Sequence, residues 1–328
     1  MNNAHCTKFG PTLAGVLALI VLPSRADTFG GGTESFTIDF VEIGNPGNAD
    51  DTGEGSGIYS TPYGGVGYNY RMGITEVPHD WITKARRLGL TTDVVAGPAG
   101  AEASQPAAFM TWFEAAAFVN FLNTSTGHQK AYQLSGVTVL TPWGPGDAWQ
   151  IGGENLYRHK DAYYFLPSED EWYKSAYHYN DGVTANYWDY ATGSYSVPDG
   201  NDFAGDSVFD AVFIDGDNHL ANPQPNSVTN AGVASPYGTF GQNGNVFEWV
   251  ESAMDGGNNS SSPVRALRGG NWTNPEIYLR SSDRSGLDPG ESTGAVGFRV
   301  ASVASVPEPS SALLLLGSGW MGLLRRRR

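Results

Sequence analysis

Glycine constrains this chain more than any other residue type. The sequence has 43 Gly among 328 residues, and Gly favours turns while weakening the interiors of helices and strands. Charged residues make up only 16%, which is below the composition typical of coiled coils and long helices. A hydrophobic content of 40% and an aromatic content of 12% exclude a disordered chain. We therefore expect a packed domain with short strands, few helices and many turns.

The single cysteine, Cys6, excludes several chemistries. One thiol forms no internal disulfide, no Cys-based zinc site and no dithiol redox pair. The sequence has no dinucleotide fingerprint, P-loop or G-x-S-x-G motif. Its net charge of −15 disfavours nucleic acid as a partner, because binding to phosphates requires Lys and Arg.

Residues 1–26 have the pattern of a secretory signal peptide. Lys8 precedes an apolar run over 13–22, and Ser24 and Ala26 place small residues where a signal peptidase cuts. We place cleavage after Ala26, which removes Cys6 and leaves a mature chain without cysteine. An N-terminal membrane helix is the alternative, but the apolar run is short and no stop-transfer pattern follows.

The C-terminal residues 306–328 form a second segment outside the fold. The motif Val306-Pro307-Glu308-Pro309 precedes a short apolar stretch and four terminal Arg residues. This order resembles the PEP-CTERM sorting signal of Gram-negative bacteria that produce exopolysaccharide. The resemblance implies recognition by an exosortase, transient anchoring in the inner membrane, and delivery to the cell surface or extracellular matrix. A plain membrane anchor, with the Arg residues in the cytoplasm, is the alternative.

Removal of both ends makes the chain more acidic. The remaining residues, 27–306, carry 13 basic and 33 acidic side chains, a net charge of −20. Such a surface attracts cations and repels anionic polymers.

Local patterns predict several elements of secondary structure. Alternation over 33–43 predicts a strand with Phe36, Ile38 and Phe40 on its buried face. A weaker pattern predicts a helix over 78–88, and short strands separated by Gly and Pro turns are expected over 266–301. Gly269 and Gly270 are expected to adopt positive φ or to allow a close backbone approach.

Two capping boxes predict helices. Thr111 and Glu114 have the required spacing, and the helix is expected to reach Leu122. Ser168 and Glu171 repeat the spacing, and this second helix is expected to run to about Tyr179. We interpret Glu171 as a capping or buried ion-pair group rather than a general acid.

Motifs in four segments occur in order along the chain. They are PAAFMTW at 106–112, YFLPSEDEW at 164–172, GNVFEWV at 244–250 and LRGGNW at 267–272, completed by GFRV at 297–300, with a fainter YRMGITEV at 70–77. Together they resemble the formylglycine-generating enzyme (sulfatase-modifying factor) family. The resemblance spans residues 36–302. It implies a single α+β domain of irregular, C-type-lectin-like architecture, with few helices and many short strands and loops.

Two sets of residues within these motifs suggest structural roles. Four tryptophans are expected in the core with bonded N–H groups: Trp112, Trp172, Trp249 and Trp272. Four arginines are expected to form bidentate pairs with buried carboxylates, with an anion pocket as the alternative: Arg268, Arg280, Arg284 and Arg299.

The chemical centre of the resembled family is altered in this chain. Active members hold copper(I) with two cysteines five residues apart. Counting back from the GFR motif at 297–299, the matching positions are Glu276 and Ser281, with Arg280 and Arg284 nearby. Carboxylate and hydroxyl are hard ligands that do not suit copper(I). We therefore expect neither a copper site nor formylglycine-generating activity.

The resemblance also implies calcium in the GNVFEW loop. Backbone carbonyls and one carboxylate suit this hard cation. The alternative is that the Glu of this loop caps a turn or pairs with an Arg. The matching ligands are Asn243, Gly244, Val246 and Glu248.

A second family calcium site would begin at Asn186 and Tyr187. The sequence does not fix its downstream acid, for which Asp202 and Asp215 are candidates.

Three functions are consistent with these observations. We favour an exported cell-surface or matrix protein with a non-catalytic binding or structural module, whose partner is extracellular polysaccharide or a surface protein. The second is a metal-dependent oxidoreductase of altered chemistry that uses His or carboxylate ligands. No pair of mature histidines has the i, i+4 spacing of a helical metal site, and His178 is the best single candidate. The third is a calcium-linked carbohydrate-binding module.

Overall fold

The structure is a computed structural model. It describes residues 25–53, 62–91, 101–136, 138–151, 155–200, 210–214, 224–256 and 263–304. Most of the predicted signal peptide, the sorting segment and the candidate calcium ligands Asp202 and Asp215 lie outside these ranges.

Short strands dominate the described residues. In chain order they are β1 (Arg25–Phe29), β2 (Phe36–Ile43), β3 (Tyr70–Gly73), β4 (Gln133–Ser135), β5 (Val139–Thr141), β6 (Ala148–Trp149), β7 (Asn155–His159), β8 (Tyr164–Phe165), β9 (Phe247–Ala253), β10 (Arg265–Arg268), β11 (Ser285–Leu287), β12 (Val296–Phe298) and β13 (Ala301–Val303). A five-stranded antiparallel sheet has the order β1-β2-β3-β13-β8, and a four-stranded sheet has the order β11-β10-β9-β12. Two further hairpins pair β4 with β5 and β6 with β7. The predicted α+β architecture is confirmed.

The first sheet confirms the predicted early strand. Phe36, Ile38 and Phe40 of β2 are buried on one face. Strand β1 pairs with β2 in antiparallel register, so the sheet begins before residue 36. The predicted cleavage after Ala26 falls inside β1, and Asp27 becomes the first residue of the mature strand.

Asp27 ties this edge strand to the interior. Its carboxylate accepts hydrogen bonds from Arg71 Nη2 at 2.5 Å and from the Tyr164 hydroxyl at 2.9 Å. Arg71 is buried, and a buried guanidinium requires a carboxylate or other acceptors. The start of the predicted mature chain is therefore part of the packed structure.

Three α-helices accompany the strands: α1 (His79–Arg87), α2 (Trp112–Ser125) and α3 (Glu169–Tyr177). Both predicted capping boxes are confirmed, with reciprocal bonds at the start of α2 and α3. Helix α2 extends three residues beyond Leu122. Helix α3 ends two residues before Tyr179, because His178 has an extended backbone. None of the helices within the described ranges is long and apolar enough to cross a bilayer.

Three of the four predicted core tryptophans are buried. Their indole N–H groups donate to buried acceptors: Trp112 to Val250 O, Trp172 to Glu248 Oε2 and Trp249 to Met110 O. The prediction for Trp272 is wrong, since this side chain is only partly buried. Trp272 follows the Gly269-Gly270 turn, and its backbone N–H donates to Asn245 O.

Gly269 and Gly270 have the backbone geometry that the sequence predicts. Their φ angles are +95° and +72°, a region that side chains with a Cβ rarely adopt. A Cβ on Gly270 would lie 2.8 Å from Leu279 Cδ1. The pair therefore brings β10 close to the short 3₁₀ helix over Glu276–Leu279.

Candidate functional site

The two positions that match the family cysteines lie at either end of one short turn. Glu276 begins the 3₁₀ helix and is partly exposed, whereas Ser281 is buried. The backbone N–H of Ser281 donates to Asp189 O at 2.8 Å. Its carbonyl accepts from Arg268 Nη1 at 2.9 Å. Ser281 is therefore built into the surrounding structure through both polar groups of its backbone.

Apolar side chains fill the space beneath this turn. Leu279 packs in a buried cluster with Tyr190, Ala211 and Phe213. Arg280 donates from Nε to the Tyr190 hydroxyl at 3.0 Å. The prediction that Arg280 pairs with a buried carboxylate is wrong, because the guanidinium is only partly buried and its partner is a phenol.

A buried carboxylate binds two of the predicted arginines. Arg284 Nε and Nη2 each donate to an oxygen of Glu169 at 2.7 Å. Arg268 Nε donates to the same carboxylate at 2.7 Å. Glu169 is the first residue of α3, so these pairs fasten the helix to β10 and to the segment that precedes β11. The prediction of bidentate pairing is confirmed for Arg284.

Arg299 forms the second bidentate pair. Its Nε and Nη2 each donate to an oxygen of Glu248 at 2.6 Å, and Trp172 Nε1 donates to Glu248 Oε2 at 2.8 Å. All three side chains are fully buried. Counting only bonds from described residues, the carboxylate accepts two at Oε2 and one at Oε1, which leaves one lone pair on Oε1.

A second carboxylate, Glu76, lies in the same buried region. Asn245 Nδ2 donates to both of its oxygens at 3.0 Å. Burial, and then the negative charge of Glu248, raise the pKa of Glu76 well above its ordinary value. Two carboxylates with one guanidinium, Arg299, carry one excess negative charge when both are ionised. A proton on Glu76 or a bound cation compensates this charge.

The predicted calcium ligands fit the ion only in part. Asn243 Oδ1 accepts a hydrogen bond from the Ala191 N–H at 2.9 Å, so its amide oxygen is already bonded. Glu248 offers one lone pair, and the backbone carbonyls of Gly244 and Val246 are the other expected donors. A calcium ion held there would fasten the loop between its carbonyls and the buried acid pair. Calcium at this loop stays a prediction.

The structure places the second predicted calcium position on an exposed turn. Asn186 Nδ2 donates to Asp181 Oδ2 at 2.7 Å, and its carbonyl accepts from the Tyr179 N–H. The Tyr187 hydroxyl instead points inward and donates to Ala49 O at 2.8 Å. Asp181 is the acid that lies beside Asn186, and the sequence did not indicate it. Within the described ranges, no three His, Cys, Asp or Glu side chains converge on one point.

Two titratable groups in the last turn of α3 and at its C-terminal end are buried. His178 Nδ1 hydrogen-bonds the Tyr237 hydroxyl at 3.0 Å, and burial lowers the pKa of His178. Lys174 has no exposed surface, and its Nζ donates to Asn45 O at 2.9 Å. Burial lowers the pKa of Lys174 to about 8. The sequence did not predict that Lys174 is buried, because a lysine on a short helix ordinarily faces water.

A further ion network was not predicted. Arg158 donates to Glu171 through Nη1 and Nη2, and to Glu251 through Nε and Nη2, at 2.8–3.0 Å. All three side chains are buried. Burial alone would lower the pKa of Arg158. The negative charges of Glu171 and Glu251 outweigh this effect and raise the pKa well above its ordinary value. The interpretation of Glu171 as a capping and ion-pair group agrees with these contacts.

Two of the cavities lined by described residues lie away from the family cysteine positions. One, of about 480 Å³, lies between α1 and the segment around Phe240, with Trp81, Asp39 and Asp80 in its wall. The other, of about 460 Å³, lies beside α2 and the β4–β5 hairpin. Neither cavity is lined by Glu276 or Ser281.

Comparison with known proteins agrees with this architecture. The model of the sulfatase-modifying factor enzyme 1-like domain matches residues 68–304, and that of the PEP-CTERM protein-sorting motif matches residues 305–328. The sorting motif marks an exported protein that is processed by the exosortase system and sorted to the cell envelope. No curated protein matches the chain.

Two solved structures have a similar fold. Treponema denticola variable protein 1 is 17% identical, with a TM-score of 0.56, over 85% of this chain and 99% of its own. The structure titled "Crystal Structure of CarF" is 18% identical, with a TM-score of 0.53, over 82% of this chain and 99% of its own. These similarities concern the fold alone. The chain belongs to the family of proteins with a sulfatase-modifying factor enzyme 1-like domain.

Proposed function

We propose that this exported protein acts at the cell envelope as a non-catalytic binding or structural module. The observation that supports this most strongly is Ser281, at the second cysteine position, which is buried and bonded through its backbone N–H and carbonyl. The first position is a carboxylate, Glu276. Copper(I) prefers thiolates, and neither of these side chains supplies one.

The place of action in this proposal is the outer surface or the extracellular matrix. The sorting motif supports export, with transient anchoring in the inner membrane before the C-terminal segment is removed. The predicted mature chain carries a net charge of −20. Because its surface repels anionic polymers, we expect an uncharged or cationic partner. An extracellular polysaccharide or a surface protein fits these conditions.

Calcium has a structural role in this proposal. One lone pair of Glu248 and the carbonyls of the loop at 243–246 are oxygen donors, which suit a hard cation. The excess negative charge on Glu76 and Glu248 supports a cation at this place. The ion would hold the loop and would take no part in chemistry.

Copper binding tests the central part of the proposal. Three proteins compete separately with a colorimetric chelator for copper(I): the wild-type mature protein, Ser281→Cys, and the double variant Glu276→Cys/Ser281→Cys. We expect no copper retention by the wild-type protein and a gain of at least about tenfold in affinity for the double variant over the single variant, because two thiolates bind together. Stoichiometric copper in the wild-type protein would overturn the proposal, and a stoichiometric redox metal after purification would favour an oxidoreductase.

A further inference from the structure

Three aromatic side chains form a cluster at the surface, which we call the aromatic platform: Tyr179, Trp188 and Tyr195. The Tyr179 and Trp188 rings stack with centroids 3.9 Å apart and an interplanar angle of 17°. Tyr195 packs against Trp188 at 4.9 Å and 60°, and its hydroxyl bonds to that of Tyr179. Tyr195 is 59% exposed, and the other two rings are partly exposed.

The backbone fixes the platform in place. The Trp188 N–H donates to Tyr177 O at 2.9 Å, and the Tyr179 N–H donates to Asn186 O at 3.0 Å. The segment that carries Trp188 is therefore paired with the residues that end α3. Rings held in this way lose little conformational freedom when a ligand binds, which favours affinity.

The exposed residues next to the platform residues in the chain are partly apolar and partly acidic. Val183 and Val197 are the apolar ones. Asp181 and Asp189 are exposed. Asp181 accepts a hydrogen bond from Asn186, whose carbonyl accepts from the Tyr179 N–H, and Asp189 directly follows Trp188 in the chain. Asp181 is held by hydrogen bonds from Thr184 Oγ1 at 2.5 Å and Asn186 Nδ2 at 2.7 Å.

We propose that the aromatic platform binds an uncharged polysaccharide, an inference that rests on the proposed role as a binding module. The C–H face of a pyranose ring packs on an exposed aromatic ring. The sugar hydroxyls donate to carboxylate oxygens at the rim, which accept strong hydrogen bonds. Exposed Tyr and Trp side chains combine an apolar ring with a polar tip, which suits a ligand with both kinds of surface.

Charge decides the class of polysaccharide. Asp181 and Asp189 are exposed on the segments that carry Tyr179 and Trp188, and the predicted mature chain carries a net charge of −20. Like charges across an interface are unfavourable, so a uronic-acid polymer is a poor ligand and a neutral glycan is the better one. A protein partner is less favoured, since stable protein interfaces bury about 800 Å² on each side and the platform consists of three rings with an acidic rim.

Affinity electrophoresis of the full mature protein tests the proposal. Native gels contain hydroxyethylcellulose, laminarin, dextran or galactomannan as neutral polymers, and alginate as the anionic control. We expect retardation in at least one neutral gel and none in alginate. Tyr195→Ala and Trp188→Ala should weaken the retardation at least about tenfold, as expected for central aromatic contacts.

Tyr278→Ala is the matched control, because this tyrosine is also exposed but lies beside the family cysteine positions. It should retain full retardation. Trp188 is partly packed, so its substitution can prevent folding. In that case the result for Tyr195→Ala, at an exposed position, decides the test. Absence of retardation in every neutral gel, or full retardation of Tyr195→Ala, would overturn the glycan proposal. The copper competition decides the proposed function separately, because it does not depend on any glycan.

Discussion

The backbone N–H of Ser281 donates to the carbonyl oxygen of Asp189 at 2.8 Å. This bond joins the position of the second family cysteine to the segment between Trp188 and Tyr190. Trp188 belongs to the aromatic platform, and Tyr190 lies in the apolar cluster beneath the turn. The residue that would carry metal chemistry in the family therefore supports the backbone of a surface segment in this protein.

The buried network around Arg158 should contribute strongly to stability. Arg158→Met leaves Glu171 and Glu251 buried without their shared cation, and such a loss costs about 3–5 kcal/mol of unfolding free energy. Urea denaturation of the two proteins at pH 7 measures the difference. A cost below about 1 kcal/mol would show that water or a rearranged partner compensates the two carboxylates.

Arg87→Met is the matched control for that comparison. Arg87 also pairs with a carboxylate, Glu34, but its side chain is 64% exposed. Exposed pairs contribute little, so we expect a change within about 1 kcal/mol.

The two acids beside Arg299 should respond differently to neutralisation. Glu248→Gln removes the carboxylate that pairs directly with Arg299, and we expect a loss of about 3 kcal/mol. Without calcium, Glu76→Gln should cost about 1 kcal/mol or less at neutral pH, because burial and then the charge of Glu248 raise the pKa of Glu76 and favour its protonated form. Chemical denaturation of both variants in EDTA measures the contrast, and equal losses would contradict the interpretation that Glu76 carries the compensating proton.

Stability should rise with pH because of Lys174. Its pKa is lowered to about 8 in the folded protein, whereas an unfolded lysine has a pKa near 10.4. Between these two pKa values the unfolded state binds more protons than the folded state. The resulting gain in stability is present at high pH and is lost as the pH falls through about 8. Between pH 7 and 9.5 the gain should be about 2 kcal/mol.

Lys174→Met provides the comparison, since its side chain fills a similar space without a charge. The variant should be more stable than the wild-type protein at pH 7, and the difference should shrink towards pH 9.5. Parallel pH profiles for the two proteins would show that Lys174 is not buried as a charged group.

Calcium should raise the melting temperature if it holds the loop at 243–248. Calcium at 100 times its dissociation constant adds about 2.7 kcal/mol of stability. We expect EDTA-treated protein to melt at a lower temperature than the same protein with excess calcium, and magnesium to have a smaller effect because it demands a tighter octahedral shell. Identical melting curves with EDTA and calcium would contradict the calcium proposal and leave the Arg299 pair as the contact that holds Glu248.

Local features of the sequence predicted the elements well. The capping boxes at Thr111 and Ser168 depend on contacts three residues apart, so their spacing is visible in the sequence. The alternation of apolar and polar residues over 33–43 is also a short-range pattern, so it revealed the buried face of β2. The ends of α2 and α3 were less accurate, because the final turn depends on tertiary contacts rather than on a local signal.

Long-range partners were harder to predict. Arg158 lies outside the recognised motifs, and its partner Glu251 is 93 residues away. The sequence indicated that Arg284 and Arg299 pair with carboxylates, and that Glu248 pairs with an Arg if it does not bind calcium. It did not indicate that Arg299 is the partner of Glu248 or that Glu169 is the partner of Arg284. The aromatic platform was also missed, because its three rings have no regular spacing and meet only where the chain turns back after α3.

Oxygen uptake with a cysteine-containing peptide tests the central claim most directly. The purified mature protein is mixed with copper(I) and the peptide under reducing conditions in an oxygen electrode, and the peptide is analysed by mass spectrometry. The absence of thiolates at Glu276 and Ser281 predicts oxygen consumption equal to that of free copper and no formylglycine product. Protein-dependent oxygen uptake with conversion of the cysteine to formylglycine would contradict the assignment of this domain as a non-catalytic module.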